Sequence, residues 1–368
     1  MTRVAALILV ASLLLPNILR GAEDLRISSL RVTDSRVQLT YPFDEGFYYL
    51  LFRGDQPASI SELIDLTIDS SDGLEDRDYL EHEEAYYRVQ RVSVESSLDS
   101  DQDELDDVVE LRYPTILDSL DSGDADLDFD NDGRTNKEEL NDPIKPTDPG
   151  DAVFETIQFE TSDRFNIVAS LGIPKTRSDS LPAVIFIHQG GSTRKEWEPV
   201  AKLAFREGWV TLAYDIRGHG ASSGSWSNAW YDDPNNAPND LKAAIEYLKR
   251  IATVDADRIA VVGASVGGNL ACVASALYGV KSAVAISHKT SAVFNLAGET
   301  SLEFRSIYHL SSKSDQGGQR ARWATELFEQ TAEPRLLEIA DGSGHGVSIF
   351  RRDASIPDRI VQWLRETL

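Results

Sequence analysis

Apolar and polar residues alternate in a strand-like pattern between Leu25 and about Val94. The apolar positions and runs that form this pattern are Leu25, Ile27, Leu30, Val32, Val37, Leu39, Tyr41, Phe47–Phe52 and Tyr86–Val92. Alternation with a period of two residues is typical of strands with one buried face, and turn residues separate the runs. The pattern therefore predicts a small antiparallel β-sandwich over residues 23–97.

A different pattern begins near Ala152 and continues to Leu368. Continuous apolar runs of the kind found in buried parallel strands are Val184–Ile187, Val210–Tyr214, Ile259–Val262 and Ala283–Ile286. Helix-period stretches lie between them, for example 240–251 and 269–278. Strand and helix in alternation predict an α/β domain over residues 152–368, with a doubly wound, mostly parallel sheet covered on both faces.

The segment between these two regions is strongly acidic. The chain has 368 residues and a formal net charge of −25, and 19 acidic against 4 basic residues lie between Asp99 and Asp151, a local balance of −15. Such a segment either stays solvated or binds cations. It also argues against nucleic acid as a partner, because phosphate would be repelled. We expect residues 98–151 to form a calcium-binding spacer.

Two twelve-residue patterns support calcium in this spacer. Asp128, Asp130, Asp132, Gly133, Asn136 and Glu139 occupy positions 1, 3, 5, 6, 9 and 12 of an EF-hand loop, with Arg134 offering its carbonyl at position 7. Asp99, Asp101, Asp103, Asp107 and Glu110 occupy matching positions, with Glu104 in place of the glycine. Hard oxygen ligands favour structural Ca²⁺, and a merely solvated acidic linker is the alternative.

These loops resemble the calcium repeats of thrombospondin type 3 and dockerin segments, including the ending Pro146–Pro149. The resemblance implies a calcium-stiffened spacer and leaves a role in partner binding or cell-surface anchoring open. Residues 25–94 resemble a fibronectin type III-like module ahead of it.

The first 22 residues have the features of an export signal. Arg3 precedes the apolar run Val4–Leu15, and small residues at Gly21 and Ala22 favour cleavage there. A retained N-terminal anchor is the alternative. We therefore expect a secreted or periplasmic protein with no membrane span in the mature chain. Cys272 is the only cysteine, so no intramolecular disulfide forms, and we expect this residue to be buried.

The segment Gly263–Gly267 fits the G-x-S-x-G nucleophile elbow with Ser265 at its centre. It follows the apolar run 259–262 and precedes a helix-period stretch. A tight turn from strand to helix needs small residues around the serine and exposes its hydroxyl. This context predicts that Ser265 is a catalytic nucleophile.

A serine nucleophile needs a base and an orienting acid later in the chain. His345 follows the last apolar run and precedes a final amphipathic helix, which favours it as the base. Asp315 lies between serine and histidine after a strand-like run, and we expect it to be the acid, with Asp341 as the alternative. The predicted oxyanion hole uses the N–H groups of Val266 and Gly190, with Gln189 as the alternative to Gly190.

The segment Asp215–Ser222 resembles the D-x-R-G-x-G-x-S segment of α/β-hydrolases. Together with residues 188–190, the nucleophile elbow and residues 344–346, this segment makes residues 152–368 similar to the dienelactone hydrolase-like and related esterase branch of that superfamily. The serine departs from true dienelactone hydrolases, which use cysteine. The elbow with Gly268 also resembles prolyl oligopeptidase-type peptidases.

The expected function is a secreted serine hydrolase that cleaves small carboxylic esters through an acyl-enzyme, without a catalytic cofactor. The alternatives are a prolyl oligopeptidase-type peptidase and a calcium-dependent adhesion or scaffold protein with a degenerate hydrolase domain.

Overall fold

The computed structural model describes residues 23–368 except 34–35, 69–72, 83, 142–147, 149, 177–179, 226 and 228–231. The predicted export segment, residues 1–22, lies outside the described residues. The chain divides into two compact units. The first contains the chain up to Leu127 together with Thr135–Pro146, and the second contains Asp128–Arg134 together with Thr147–Leu368. Within the described residues, no helix is long and apolar enough to cross a membrane.

The first unit is built on two antiparallel sheets. Its strands are β1 (Glu23–Leu25), β2 (Ser29–Val32), β3 (Val37–Thr40), β4 (Phe47–Gly54), β5 (Glu62–Thr67), β6 (Leu74–Asp76) and β7 (Tyr86–Ser93). Two short helices follow, α1 (Asp107–Glu110) and α2 (Asn136–Leu140). The strand orders are β1-β7-β4-β5 and β2-β3-β6. The predicted antiparallel β-rich region is confirmed.

Strand β4 is buried on both faces because its side chains alternate between two cores. Tyr49 and Leu51 pack with residues of β3 and β6, so one face of the four-stranded sheet covers the three-stranded sheet. Tyr48 and Leu50 face the other way and pack with Val108 of α1. The acidic segment after β7 thus contributes apolar residues to the same core as the sheet.

The second unit is an eight-stranded, mostly parallel sheet with helices on both faces, as predicted. Its strands are β8 (Glu155–Glu160), β9 (Asn166–Gly172), β10 (Leu181–Ile187), β11 (Val210–Tyr214), β12 (Val254–Ala264), β13 (Ser282–Ile286), β14 (Phe304–Ser312) and β15 (Thr331–Ala340). Its helices are α3 (Glu198–Arg206), α4 (Ala237–Leu248), α5 (Val266–Leu277), α6 (Thr290–Ala297), α7 (Gln319–Glu329) and α8 (Ile356–Thr367).

The strand order is β15-β14-β13-β12-β10-β11-β9-β8. Strands β10 to β15 pair in parallel, whereas β9 pairs antiparallel with both β11 and β8. Side chains alternate across the sheet: Ile185 packs under α4 to α7, and Phe186 packs under α3 and α8. Two layers of helix therefore bury both faces, which explains why the central strands are continuously apolar.

Candidate active site

The predicted catalytic residues all follow parallel strands of the second unit. Gly190 follows β10, Ser265 follows β12, Asp315 follows β14 and His345 follows β15. The carboxyl ends of parallel strands lie along one edge of a sheet, where α/β folds place their ligand sites. The topology therefore brings four residues that are far apart in sequence to the same edge.

Ser265 occupies a strained turn between β12 and α5. Its φ is 54° and its ψ is −108°, a conformation that non-glycine residues rarely adopt. Its N–H donates a hydrogen bond to the carbonyl of Ile286 at 2.8 Å, and its carbonyl accepts from the N–H of Asn269 at 2.9 Å. Both hydrogen bonds hold the backbone in this conformation, which is expected of a nucleophile elbow.

The glycines around the serine are required by close packing. A Cβ on Gly263 would overlap the carbonyl of Gly267, and a Cβ on Gly267 would overlap the carbonyl of Ile187 on the neighbouring strand. A Cβ on Gly268 would lie 2.6 Å from the carbonyl oxygen of Ile286. Helix α5 therefore approaches the sheet closely at its first turn, and only glycine fits at these positions.

His345 and Asp315 are hydrogen-bonded to each other. The distance from His345 Nδ1 to Asp315 Oδ2 is 2.8 Å. The Asp315 side chain is 3% exposed and that of His345 is 34% exposed. With Nδ1–H donated to a buried carboxylate, the second ring nitrogen, Nε2, is left as a base in the neutral tautomer. Among the described residues, Asp315 and not Asp341 makes this contact.

The loop that carries His345 packs against the elbow through Ser287, a residue that belongs to no sequence motif. The N–H of Gly346 donates to Ser287 Oγ at 3.0 Å. Ser287 directly follows Ile286, whose carbonyl accepts the N–H of Ser265. A Cβ on Gly346 would also lie 3.4 Å from the Cβ of Ala264. The histidine loop and the serine turn are thus tied to one segment after β13.

The N–H groups of Val266 and Gly190 have no hydrogen-bond partner in the described part of the chain. The N–H of Gln189 is occupied, because it donates to Glu196 Oε1 at 2.7 Å. The geometry therefore favours Gly190 over Gln189 as the second oxyanion donor. Val266 is the first residue of α5, where the helix dipole also favours negative charge.

The loop that carries Gly190 is held by the segment Asp215–Ser222. Asp215 accepts the N–H of Arg194 at 2.7 Å and that of Ala221 at 2.9 Å. His188 Nε2 accepts the N–H of Ile216 at 3.0 Å. Nδ1 of His188 therefore carries the proton and donates to the Gln189 carbonyl at 2.7 Å. Burial lowers the pKa of His188 to about 4, so it stays neutral and structural.

Cys272 lies within α5 and is fully buried. Burial raises the pKa of its thiol. A thiol that stays protonated is unreactive, so Cys272 contributes packing to the core behind the elbow rather than nucleophilic chemistry.

Three of the predicted ligands in the loop from Asp128 to Glu139 lie in one cluster. Carboxylate oxygens of Asp128, Asp130 and Asp132 lie within 4.8 Å of one another in the second unit, and the N–H of Arg134 donates to Asp132 Oδ1 at 2.9 Å. Asn136 and Glu139 lie on α2 in the first unit, where both are buried. Gly133, at position 6, has a φ of 98°, as the loop pattern requires.

The other loop has three of its predicted ligands in one cluster. Oxygens of Asp99, Asp101 and Asp103 lie within 4.8 Å of one another. Asp107 is engaged elsewhere: it accepts hydrogen bonds from the N–H and hydroxyl of Ser100 and from the hydroxyl of Tyr48, each at 2.8 Å. The remaining predicted ligand, Glu110, clusters with Asp103 and with Asp124, a residue outside the twelve-residue pattern.

Sequence comparison identifies one family and two curated relatives. The family model described as alpha/beta hydrolase fold matches residues 182–311. An uncharacterized protein of Pseudomonas aeruginosa, PA2218, is 28% identical over 218 residues, which is 58% of this chain and 54% of that protein. The uncharacterized protein YfhR of Salmonella typhi is 31% identical over 128 residues, 33% of this chain and 40% of that protein. The chain thus spans about half the length of the curated relatives it matches.

Two solved structures are similar at lower identity. The Pyrococcus furiosus esterase Pf2001 has 21% identity and a TM-score of 0.49, covering 58% of this chain and 93% of that one. The crystal structure of the Pseudomonas aeruginosa protein PA2218 has 18% identity and a TM-score of 0.48, covering 59% and 94%. Similarity at this level carries no information on activity or substrate. From the family match and its own sheet, the second unit has the α/β-hydrolase fold.

Proposed function

We propose that this chain, which has the α/β-hydrolase fold, is a serine hydrolase that cleaves carboxylic esters with Ser265, His345 and Asp315. The observation that supports the proposal best is the 2.8 Å hydrogen bond between His345 and Asp315, at the same sheet edge as the strained turn of Ser265. A fold alone does not specify an activity, whereas this combination of groups has a defined chemistry.

In the proposed reaction, Ser265 Oγ attacks the ester carbonyl carbon while His345 Nε2 takes the hydroxyl proton. The N–H groups of Val266 and Gly190 stabilise the oxyanion that forms. The intermediate collapses, the C–O bond to the alcohol breaks, and His345 returns its proton to the leaving alkoxide. Water then attacks the acyl-enzyme by the same route and releases the acid. Asp315 holds the His345 ring in the required tautomer throughout.

Replacing the nucleophile tests the proposal. We expect Ser265→Ala to lower kcat for p-nitrophenyl acetate by at least about 10⁴-fold, because loss of a triad serine removes covalent catalysis. The exposed Ser301 provides a matched control, and Ser301→Ala should keep the wild-type rate. Wild-type turnover by Ser265→Ala would exclude the assignment.

Two further measurements separate the alternatives. A fluorophosphonate probe should label the wild-type protein and not Ser265→Ala, whereas a scaffold with an inactive hydrolase domain would label in neither case. A panel of short acyl esters beside proline-containing amides distinguishes an esterase from a peptidase. We expect kcat/KM to be larger for the esters, and preferential amide cleavage would favour the peptidase.

A further inference from the structure

Three carboxylates of the first unit, Asp103, Glu110 and Asp124, form one buried group, and Asp101 is joined to it through Asp103. We call these four residues the acid cluster. Glu110 is 0% exposed, Asp124 is 5% exposed and Asp103 is 6% exposed. The ligand oxygens of Asp103, Glu110 and Asp124 lie within 4.8 Å of one another. Asp101 and Asp103 share a second group of the same size with Asp99. Asp103 therefore connects all of these carboxylates.

Six oxygen atoms of the acid cluster are buried without a hydrogen-bond partner among the described residues. They are both Oδ atoms of Asp101, Oδ2 of Asp103, both Oε atoms of Glu110 and Oδ1 of Asp124. Nor does any Lys or Arg of the described ranges form a salt bridge with these four side chains. An unpaired buried carboxylate is costly, and four together also repel one another. A bound cation would satisfy all of them at once.

The surrounding contacts orient these oxygens toward one another. Asp103 Oδ1 accepts the N–H of Leu105 at 2.8 Å, which leaves Oδ2 for the cluster. Asp124 Oδ2 accepts the N–H of Asp118, which leaves Oδ1. Asp103 and Asp124 are thus each held through one carboxylate oxygen, and the other oxygen of each is left for the cluster. Burial, followed by repulsion from Asp101 and the other carboxylates, raises the pKa of Glu110 to about 9.

We propose that Asp101, Asp103, Glu110 and Asp124 bind one Ca²⁺, with Asp124 supplying the ligand that Asp107 would supply in a standard EF-hand loop. Six oxygens match the six to eight oxygen ligands that Ca²⁺ takes at 2.3–2.6 Å. Oxygens up to 4.8 Å apart can both touch an ion at about 2.4 Å, whereas Mg²⁺ at about 2.1 Å requires a tighter set. The binding residues therefore come from the loop, from α1 and from the segment after it.

Asp124 distinguishes this site from the twelve-residue pattern, in which it has no role. The test titrates CaCl₂ into the chelator-treated full-length protein by isothermal titration calorimetry. Asp124→Asn should reduce the number of calcium ions bound per chain by one, or weaken one site by more than about tenfold, the smallest effect that even residues behind the ligands have on affinity. Glu110→Gln should do the same. Asp106→Asn removes an exposed carboxylate of the same segment and should bind calcium like the wild type.

Wild-type calcium number and affinity in Asp124→Asn would overturn the proposal. Should the variants lose their strand signal in circular dichroism, crystals of the wild-type protein with Tb³⁺ decide the matter. The proposal requires an anomalous peak within bonding distance of Asp124 Oδ1 and Glu110. A peak bound by Asp107 and not by Asp124, or no peak near Glu110 at saturating Tb³⁺, would refute it.

Discussion

Ser265 has a backbone conformation that costs on the order of 1–3 kcal/mol and that the surrounding structure must offset. One hydrogen bond to Ile286 on the neighbouring strand, a second to Asn269 of α5 and the close packing of α5 provide this support. Ser265 stands between the end of β12 and the first residue of α5. The strain is thus concentrated at the residue that we propose to be the nucleophile.

At the same scale, the acid of the triad can be tested against its alternative. We expect Asp315→Asn to lower kcat for a p-nitrophenyl ester by about 10⁴-fold, because the amide would hold the imidazole in the wrong tautomer. Asp341→Asn makes the same change of charge on the loop before His345 and should leave kcat within about twofold of the wild type. A large loss in Asp341→Asn with none in Asp315→Asn would reverse the assignment.

The sequence nominated individual candidate residues where a local pattern was present. Ser265 and its glycines lie within five consecutive positions, and one strand-to-helix turn explains them all. The preference for Gly190 over Gln189 was made from the sequence, and the structure adds a reason for it, because the Gln189 N–H donates to a carboxylate seven residues away. Ser287 and Asp124 carry no local motif. Their roles depend on contacts with Gly346 and with Asp103 and Glu110, which no periodicity reveals.

At the scale of secondary structure, the elbow depends on how closely α5 approaches β10. We expect Gly267→Ala to destabilise the second unit by about 1–3 kcal/mol or more, because its Cβ would overlap the Ile187 carbonyl. Gly279→Ala provides the comparison. Its φ is 67° but its Cβ would meet no atom within 4 Å, so we expect about 1 kcal/mol from conformation alone. Urea unfolding measures both, and equal losses would contradict the packing argument.

In the loop Asp99–Glu110 of the first unit, Glu104 has a backbone conformation that favours glycine. This residue stands where the calcium-loop pattern has glycine, and its φ is 80°, close to the 98° of Gly133 in the other loop. We expect Glu104→Gly to stabilise the first unit by about 0.5–1 kcal/mol, because glycine avoids the cost of left-handed backbone. Asp106→Gly, at a φ of −79°, should destabilise it instead. Urea unfolding measures the change in the free energy of unfolding for both variants. A destabilising effect of Glu104→Gly would contradict the prediction.

Prediction of whole elements succeeded where periodicity was sustained. The strand runs at 184–187, 210–214, 259–262 and 283–286 lie within β10 to β13 as expected. Helix α4 begins at Ala237, before the predicted start at 240, because a Pro in its first turn and the preceding turn set the boundary. Strands β5 and β6 were not singled out, since they are short and only partly apolar. Their pairing partners, rather than their own sequence, place them in the sheets.

At the scale of the whole molecule, −15 of the net charge of −25 lies between Asp99 and Asp151, the segment that contains the buried carboxylates of the acid cluster. If calcium fills the acid cluster, its removal should lower stability. At a free calcium concentration 100 times Kd, the ion would contribute about 2.7 kcal/mol to the free energy of unfolding, and EDTA would remove it. Thermal unfolding followed by circular dichroism measures the shift. Mg²⁺ in excess should not restore the midpoint, and an unchanged midpoint in EDTA would contradict the prediction.

The buried thiol of Cys272 can report on the opening of the second unit. Because the sequence holds a single thiol, and because that thiol sits inside α5 beneath the proposed nucleophile, a thiol reagent can modify the native chain only after this helix opens. The rate of thiol modification therefore measures how often the second unit opens, because the first unit has no cysteine that could react. Unfolding of the second unit can thus be measured separately from unfolding of the first unit, without introducing any label.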